Sequence, residues 1–105
     1  MNNKPQIHFA SNAQTKVVVM HGKAISTLND FYNDLQVALE IPSYFGHNLD
    51  ALDEVLHDLS WLTEKHIILI LYRSSLLCAE HKEDRSNLLS ILTSCTNPKI
   101  DILLL

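Results

Sequence analysis

No lysine or arginine occurs between Lys23 and Lys65, although that window holds eight of the chain's twelve acidic residues. They are Asp30, Asp34, Glu40, Asp50, Asp53, Glu54, Asp58 and Glu64. The window is formally −8, while the rest of the chain, with eight bases against four acids, is +4. Glycine is nearly as scarce, with two residues, and proline has three. That excludes collagen-like repeats and argues against disorder or a loop-dominated fold. Cysteine is limited to Cys78 and Cys95, without CxxC spacing. This points away from a zinc site or a thioredoxin-type pair and toward buried or partly buried free thiols. The longest apolar runs, Val17-Val18-Val19-Met20 and Ile67-Ile68-Leu69-Ile70-Leu71, fall far short of the roughly 20 residues a membrane span needs. The first dozen residues are polar and lack the apolar stretch of a secretory signal, so a cytoplasmic protein with no membrane association is expected. Lysine and arginine are not clustered, and the acidic balance disfavours nucleic acid as a partner.

What remains is a chain of 105 residues, 47% hydrophobic, able to build one core without metals or disulfides. Residues 1–14 read as a polar leader in which Ile7-His8-Phe9 could add a short edge strand, and residues 15–105 as a single domain. Lys16 to His21 is a continuous β-branched run closed by Gly22, the pattern of a strand buried on both faces. Thr27-Leu28-Asn29-Asp30 resembles a capping box with Asp in place of Glu, and apolar residues at 28, 31, 32, 35, 38 and 39 keep helical spacing behind it. Pro42 stops that helix. Ser43 to His47 is a loop with Gly46 as its permissive point. Asn48 is a good N-cap for a helix reaching Leu59 or Ser60. His66 to Tyr72 reads as a second buried strand, Ser86 to Cys95 as another helix, and Ile100 to Leu105 as a final strand, while Ser74 to His81 is ambiguous and could form a short helix. The order implies an α/β fold: a small three-stranded parallel sheet packed with about four helices.

On a helical wheel, Leu49, Leu52, Val55, Leu56 and Leu59 form one stripe, and Asp50, Glu54 and Asp58 lie opposite. His57 falls near these acids, and Asp53 borders the stripe. Asp50 gains from the helix dipole in the first turn, whereas Glu54 and Asp58 gain little. Asp50 and Glu54 are like charges one turn apart, which slightly weakens an isolated helix. Uncompensated charge of one sign asks for a cationic partner, although it also suits a solvated face that aids solubility.

The stretch Ile41-Pro42-Ser43-Tyr44-Phe45-Gly46-His47-Asn48-Leu49-Asp50-Ala51-Leu52 resembles the central motif of the barstar family, Pro-x-Tyr-aromatic-Gly-x-Asn-Leu-Asp-Ala-Leu. The likeness extends in pattern to Lys16–Gly22, Leu28–Leu39 and Ser86–Leu105. It implies a non-enzymatic inhibitor, an antitoxin or immunity protein, that blocks the basic active-site cleft of a cytotoxic ribonuclease with an acidic helix and its preceding loop. A 1:1 complex, a monomer when free, and no metal or cofactor go with it. Carried over by position, Tyr44 and Asp50 match contact residues, and Glu54 stands where the family has its main active-site-blocking aspartate. Gly46 and Asn48 shape the loop, with His47 exposed between them. Asp53 replaces a contact tryptophan, and the helix near Thr93 lacks a glutamate the family places close to the interface. These departures point to a cationic nuclease other than barnase. The expected partner-binding set is Tyr44, Gly46, His47, Asn48, Asp50, Asp53, Glu54 and Asp58.

Two other classes fit parts of the pattern. The same acidic helix could dock on a basic protein that is not a ribonuclease. His47, Asp53 and His57 could bind a divalent cation, although HExxH is missing and the residues span a wide arc. Nucleophilic catalysis has no support, because no GxSxG elbow or glycine-rich phosphate loop is present.

Overall fold

The computed structural model describes residues 7–12 and 14–105. Strands β1 (Ile7–Ser11), β2 (Thr15–His21), β3 (His66–Tyr72) and β4 (Ile100–Leu104) form one sheet in spatial order β1-β2-β3-β4. β2, β3 and β4 are parallel, with Val18 opposite Leu69 and Leu69 opposite Ile102. β1 runs antiparallel on the free edge of β2, pairing Phe9 with Val18. Helices α1 (Leu28–Ala38) and α2 (Leu49–Asp58) connect β2 to β3, and α3 (Lys82–Ser94) connects β3 to β4.

The parallel strands follow the expected boundaries, but their burial alternates. Val18, Met20, Ile67, Leu69 and Leu71 are fully buried, whereas Val17, Val19, Ile68 and Ile70 are only partly so. The helices therefore cover one face of the sheet, and the two-sided burial expected from the apolar runs is not met. Phe31, Leu35 and Leu39 around α1, Leu52 and Leu56 from α2, and Leu88 and Leu92 from α3 complete the core. At about 25 cal/mol per Å², each such side chain contributes roughly 2 kcal/mol through burial.

Among the described residues there are three α-helices rather than four. The segment Ser74 to His81 holds only a 3-10 turn, Ser74–Leu76. Arg73 before it (φ 57°) and Cys78 after it (φ 48°) have left-handed backbone, which a right-handed helix cannot include. Leu77 and Cys78 enter the core instead. The third helix starts at Lys82, one turn before Ser86, because Glu83 and Asp84 sit in its first turn and favour the dipole there. α2 ends at Asp58 because Leu59 turns left-handed (φ 53°), its N–H still bonding the Val55 carbonyl at 3.1 Å.

Helix α1 carries the anticipated cap. Asp30 N–H donates to Thr27 Oγ1 at 3.1 Å, and the Asp30 carboxylate accepts from the Thr27 and Ser26 amides at 3.1 and 3.0 Å. At its other end Glu40 takes the left-handed position (φ 52°), while Ile41 N–H reaches back to the Gln36 carbonyl (2.9 Å) and Glu40 N–H to that of Val37 (3.3 Å). This is a Schellman closure with Glu where glycine is usual.

Candidate functional site

The loop between α1 and α2 is held from the α1 side by one residue. The Gln36 amide nitrogen donates to the carbonyls of Ile41 (3.3 Å) and Pro42 (3.2 Å), and its oxygen lies 2.7 Å from His47 Nε2. With the amide group committed to the two carbonyls, the histidine must donate, so Nε2 carries the proton. The His47 ring also packs on Phe45 (centroids 4.9 Å apart) and Tyr32 (5.8 Å). His47 is thus half-buried rather than exposed. It, and not Gly46, takes the left-handed conformation (φ 52°). Glycine serves Gly46 differently: a Cβ there would come within 3.1 Å of Asn48 Nδ2 and 3.5 Å of Ala51 Cβ.

Neighbouring aromatics in this loop part company. Phe45 is 6% exposed and belongs to the core, with its ring edge-on to Tyr32. Tyr44 is 73% exposed. Asn48 caps α2 through Oδ1, which accepts from Ala51 N–H at 2.8 Å, and its Nδ2 donates to the Gly46 carbonyl at 3.3 Å.

The acids of α2 are all exposed, but they are not equivalent. Asp53 lies 3.4 Å from His57 Nδ1, whose closer contact is the Asp53 carbonyl at 2.9 Å. Asp58 accepts from Ser60 N–H at 3.3 Å, beyond the helix end. Asp50 and Glu54 have no hydrogen-bond or ion-pair partner among the described residues. A shallow depression of about 500 Å³ adjoins Asp50, between the starts of α1 and α2, with Leu28, Tyr32 and Leu49 in its wall.

The far end of α2 is fixed by residues that give no local signal in the sequence. Asn97 Nδ2 donates to the Leu56 carbonyl at 2.9 Å. Lys99 Nζ donates to the carbonyls of Leu59 (2.8 Å) and Leu62 (2.7 Å). Trp61 Nε1 donates to the Leu39 carbonyl at 2.8 Å, tying the exit of α2 to the exit of α1. A cation at a helix C-terminus is favoured by the exposed carbonyls, so Lys99 both anchors α2 and leaves its outer face without a base.

Burial pushes three groups off their ordinary pKa values. The Asp34 carboxyl is raised by burial and then by Asp30. The Tyr32 hydroxyl is raised by burial and by the charges of Asp84 and Cys78. The Cys78 thiol is raised by burial, Asp84 and Asp30, with Arg85 opposing, so it stays protonated and unreactive. Neither cysteine forms a disulfide.

The geometry does not bring the residues of the divalent-cation alternative together. His47 is committed to Gln36 while Asp53 and His57 pair within their own helical turn. Among the described residues no three His, Cys, Asp or Glu side chains are grouped to hold a metal. No helix among them is long and apolar enough to cross a membrane.

No curated protein matches this sequence. The family model described as barstar (barnase inhibitor) matches residues 15–100, which takes in every element from β2 to the start of β4, and the family is one of inhibitors rather than enzymes. The chain belongs to the barstar family.

Proposed function

We propose that this protein inhibits a cytotoxic ribonuclease by seating Tyr44, Asp50 and Glu54 in the enzyme's basic cleft. The observation that carries the reading is the pair of unpartnered carboxylates one turn apart on a helix fixed at both ends. Two such charges repel each other in the free protein, and a cleft lined by Lys, Arg and His offers them the ion pairs this chain does not. A ribonuclease collects those cations to hold phosphate, so carboxylates on a rigid helix can occupy the phosphate positions while an aromatic ring fills a base or ribose space. Tyr44 offers that ring at low entropic cost, since the loop beneath it is tied down by Gln36, His47 and Phe45.

In this reading Gly46, His47 and Asn48 shape the loop, and Asp53 and Asp58 flank the contact. Asp53 adds a negative charge where the family has tryptophan, which favours a cationic nuclease shaped differently from barnase. The remaining acids of the lysine- and arginine-free window act through their field, speeding encounter. A 1:1 complex, a free monomer, residence in the cytoplasm and a role as antitoxin or immunity protein complete the proposal.

The test is inhibition of RNA cleavage by a panel of small basic ribonucleases, barnase among them, with the wild type and the Asp50→Ala, Glu54→Ala double variant. Inhibition of at least one enzyme by the wild type, lost in a folded double variant, is expected. Undiminished inhibition by that variant would remove the proposed face. Association should also slow as salt is raised, and salt-independent association would remove the steering argument.

A further inference from the structure

The carboxyl ends of β2 and β3 lie side by side, with His21 opposite Tyr72. The chain leaves each strand through a 3-10 turn, Gly22–Ala24 after β2 and Ser74–Leu76 after β3. These turns pack backbone to backbone: a Cβ on Gly22 would collide with the Arg73 carbonyl oxygen. Cys78 N–H donates to the Ile25 carbonyl at 2.9 Å, locking the second exit to the first. Arg73 and Cys78, on either side of the second turn, are two of the five non-glycine residues with left-handed backbone among the described residues. Such geometry persists only where the surroundings hold it.

Between the two turns lies a basin of about 420 Å³. Three cationic or proton-binding side chains reach it from three places: Lys23 from the first turn, Arg73 from the exit of β3, and His81 from the position before α3. None of the three has a side-chain hydrogen bond or ion pair among the described residues. Glu80 is the one acid in the wall, and the exposed side chains of Leu76 and Ala79 supply an apolar surface above the buried Ile25. In a chain of net charge −4, cations gathered without partners are as conspicuous as the bare acids of α2.

We propose that this basin binds a mononucleotide, its phosphate on Lys23, Arg73 and His81 and its base against Leu76 and Ala79. Arginine suits phosphate through its two-pronged donor geometry, and lysine adds a point charge. The volume falls in the range of small-molecule sites and far exceeds what a lone phosphate fills. The position is the one open α/β sheets use for ligands, outside the carboxyl ends of the strands. β2, β3 and β4 run in sequence with no reversal of order, so here the two 3-10 turns open the space that a change of strand order opens elsewhere.

Titration of the full chain with AMP, adenosine and inorganic phosphate, followed by backbone-amide NMR, tests the proposal. AMP is expected to shift the amides of Lys23, Arg73, Leu76 and Ala79 saturably and to bind more tightly than either fragment. Lys23→Ala and Arg73→Asn should each weaken AMP about tenfold or more, the loss of one charge-assisted hydrogen bond. Asparagine is chosen because it tolerates left-handed backbone, so thermal melts of both variants should match the wild type. The Asp50→Ala, Glu54→Ala variant should bind AMP like the wild type, separating this site from the α2 face. No shift at these amides with millimolar AMP, or shifts that survive both substitutions, would overturn the proposal. Phosphate binding as tightly as AMP would overturn the nucleotide assignment.

Discussion

Helices α1 and α2 follow one another in the chain, and neither contains a lysine or arginine. In α1, Asp30 accepts from the amides of Ser26 and Thr27, and Asp34 is half-buried. In α2, Asp50 and Glu54 stand in solvent with no partner among the described residues. Acids of the same formal charge therefore have two uses. An acid that caps a helix repays its desolvation within the fold, whereas an exposed acid next to a like charge contributes little to folding beyond what the helix dipole gives Asp50. Only the second kind calls for an explanation outside the molecule.

That contrast can be broken most directly at α2. Asp50→Ala with Glu54→Ala should weaken ribonuclease binding roughly a thousandfold, at about 2 kcal/mol for each buried contact, with the melting temperature unchanged or slightly higher. A marked fall in melting temperature would mean that these acids serve the fold after all. Next in size is Lys99→Met, which leaves the Leu59 and Leu62 carbonyls without their shared donor. Denaturant unfolding should register about 2 kcal/mol, and hydrogen exchange should quicken at the end of α2. Asp30→Ala should cost about 1 kcal/mol by removing one half of the capping box, with inhibition intact in the same preparation. Loss of inhibition at full stability would reverse the roles assigned to the two helices.

The smallest effect belongs to Asp34. Its carboxyl is raised in the folded protein by burial and Asp30, so the folded state holds that proton more tightly than the unfolded chain does. Ionised Asp34 therefore subtracts from stability above its folded pKa, and the wild type recovers that stability as pH falls toward the ordinary aspartate value of about 4. Asp34→Asn should melt higher than wild type at neutral pH, with the gain vanishing at acid pH. A gain that persists under acid conditions would assign the effect to something other than charge.

Much of the scaffold could be read from short stretches of chain. Thr27 and Asp30 announce a helix start because both partners of the capping box lie three residues apart, and Asn48 does the same for α2. The helical wheel placed Asp50 and Glu54 on the outer face, and β-branched runs located the three parallel strands within a residue at most ends. The segment after β3 departs from the expected helix because the left-handed residues there are not glycine, and α3 starts a turn earlier than expected because Glu83 and Asp84 occupy its first turn. Arg73 and Cys78 give no sign in the sequence that they will leave the helical region.

Sequence by itself, then, determined which residues begin α1 and α2, where the parallel strands run, and where negative charge accumulates, since each depends on neighbours within about one helical turn. Tertiary structure alone decided which charges are left over. Gln36 meets His47 eleven residues away, Trp61 meets Leu39 at twenty-two, and Lys99 meets Leu59 at forty. Those bonds fix the loop and the acidic helix while consuming none of the charge of Asp50 or Glu54. The meeting of Lys23, Arg73 and His81 is of the same kind, because only the parallel pairing of β2 with β3 brings their elements to one end of the sheet. Whether a charge finds a partner is a property of packing, and packing joins residues that the chain keeps far apart.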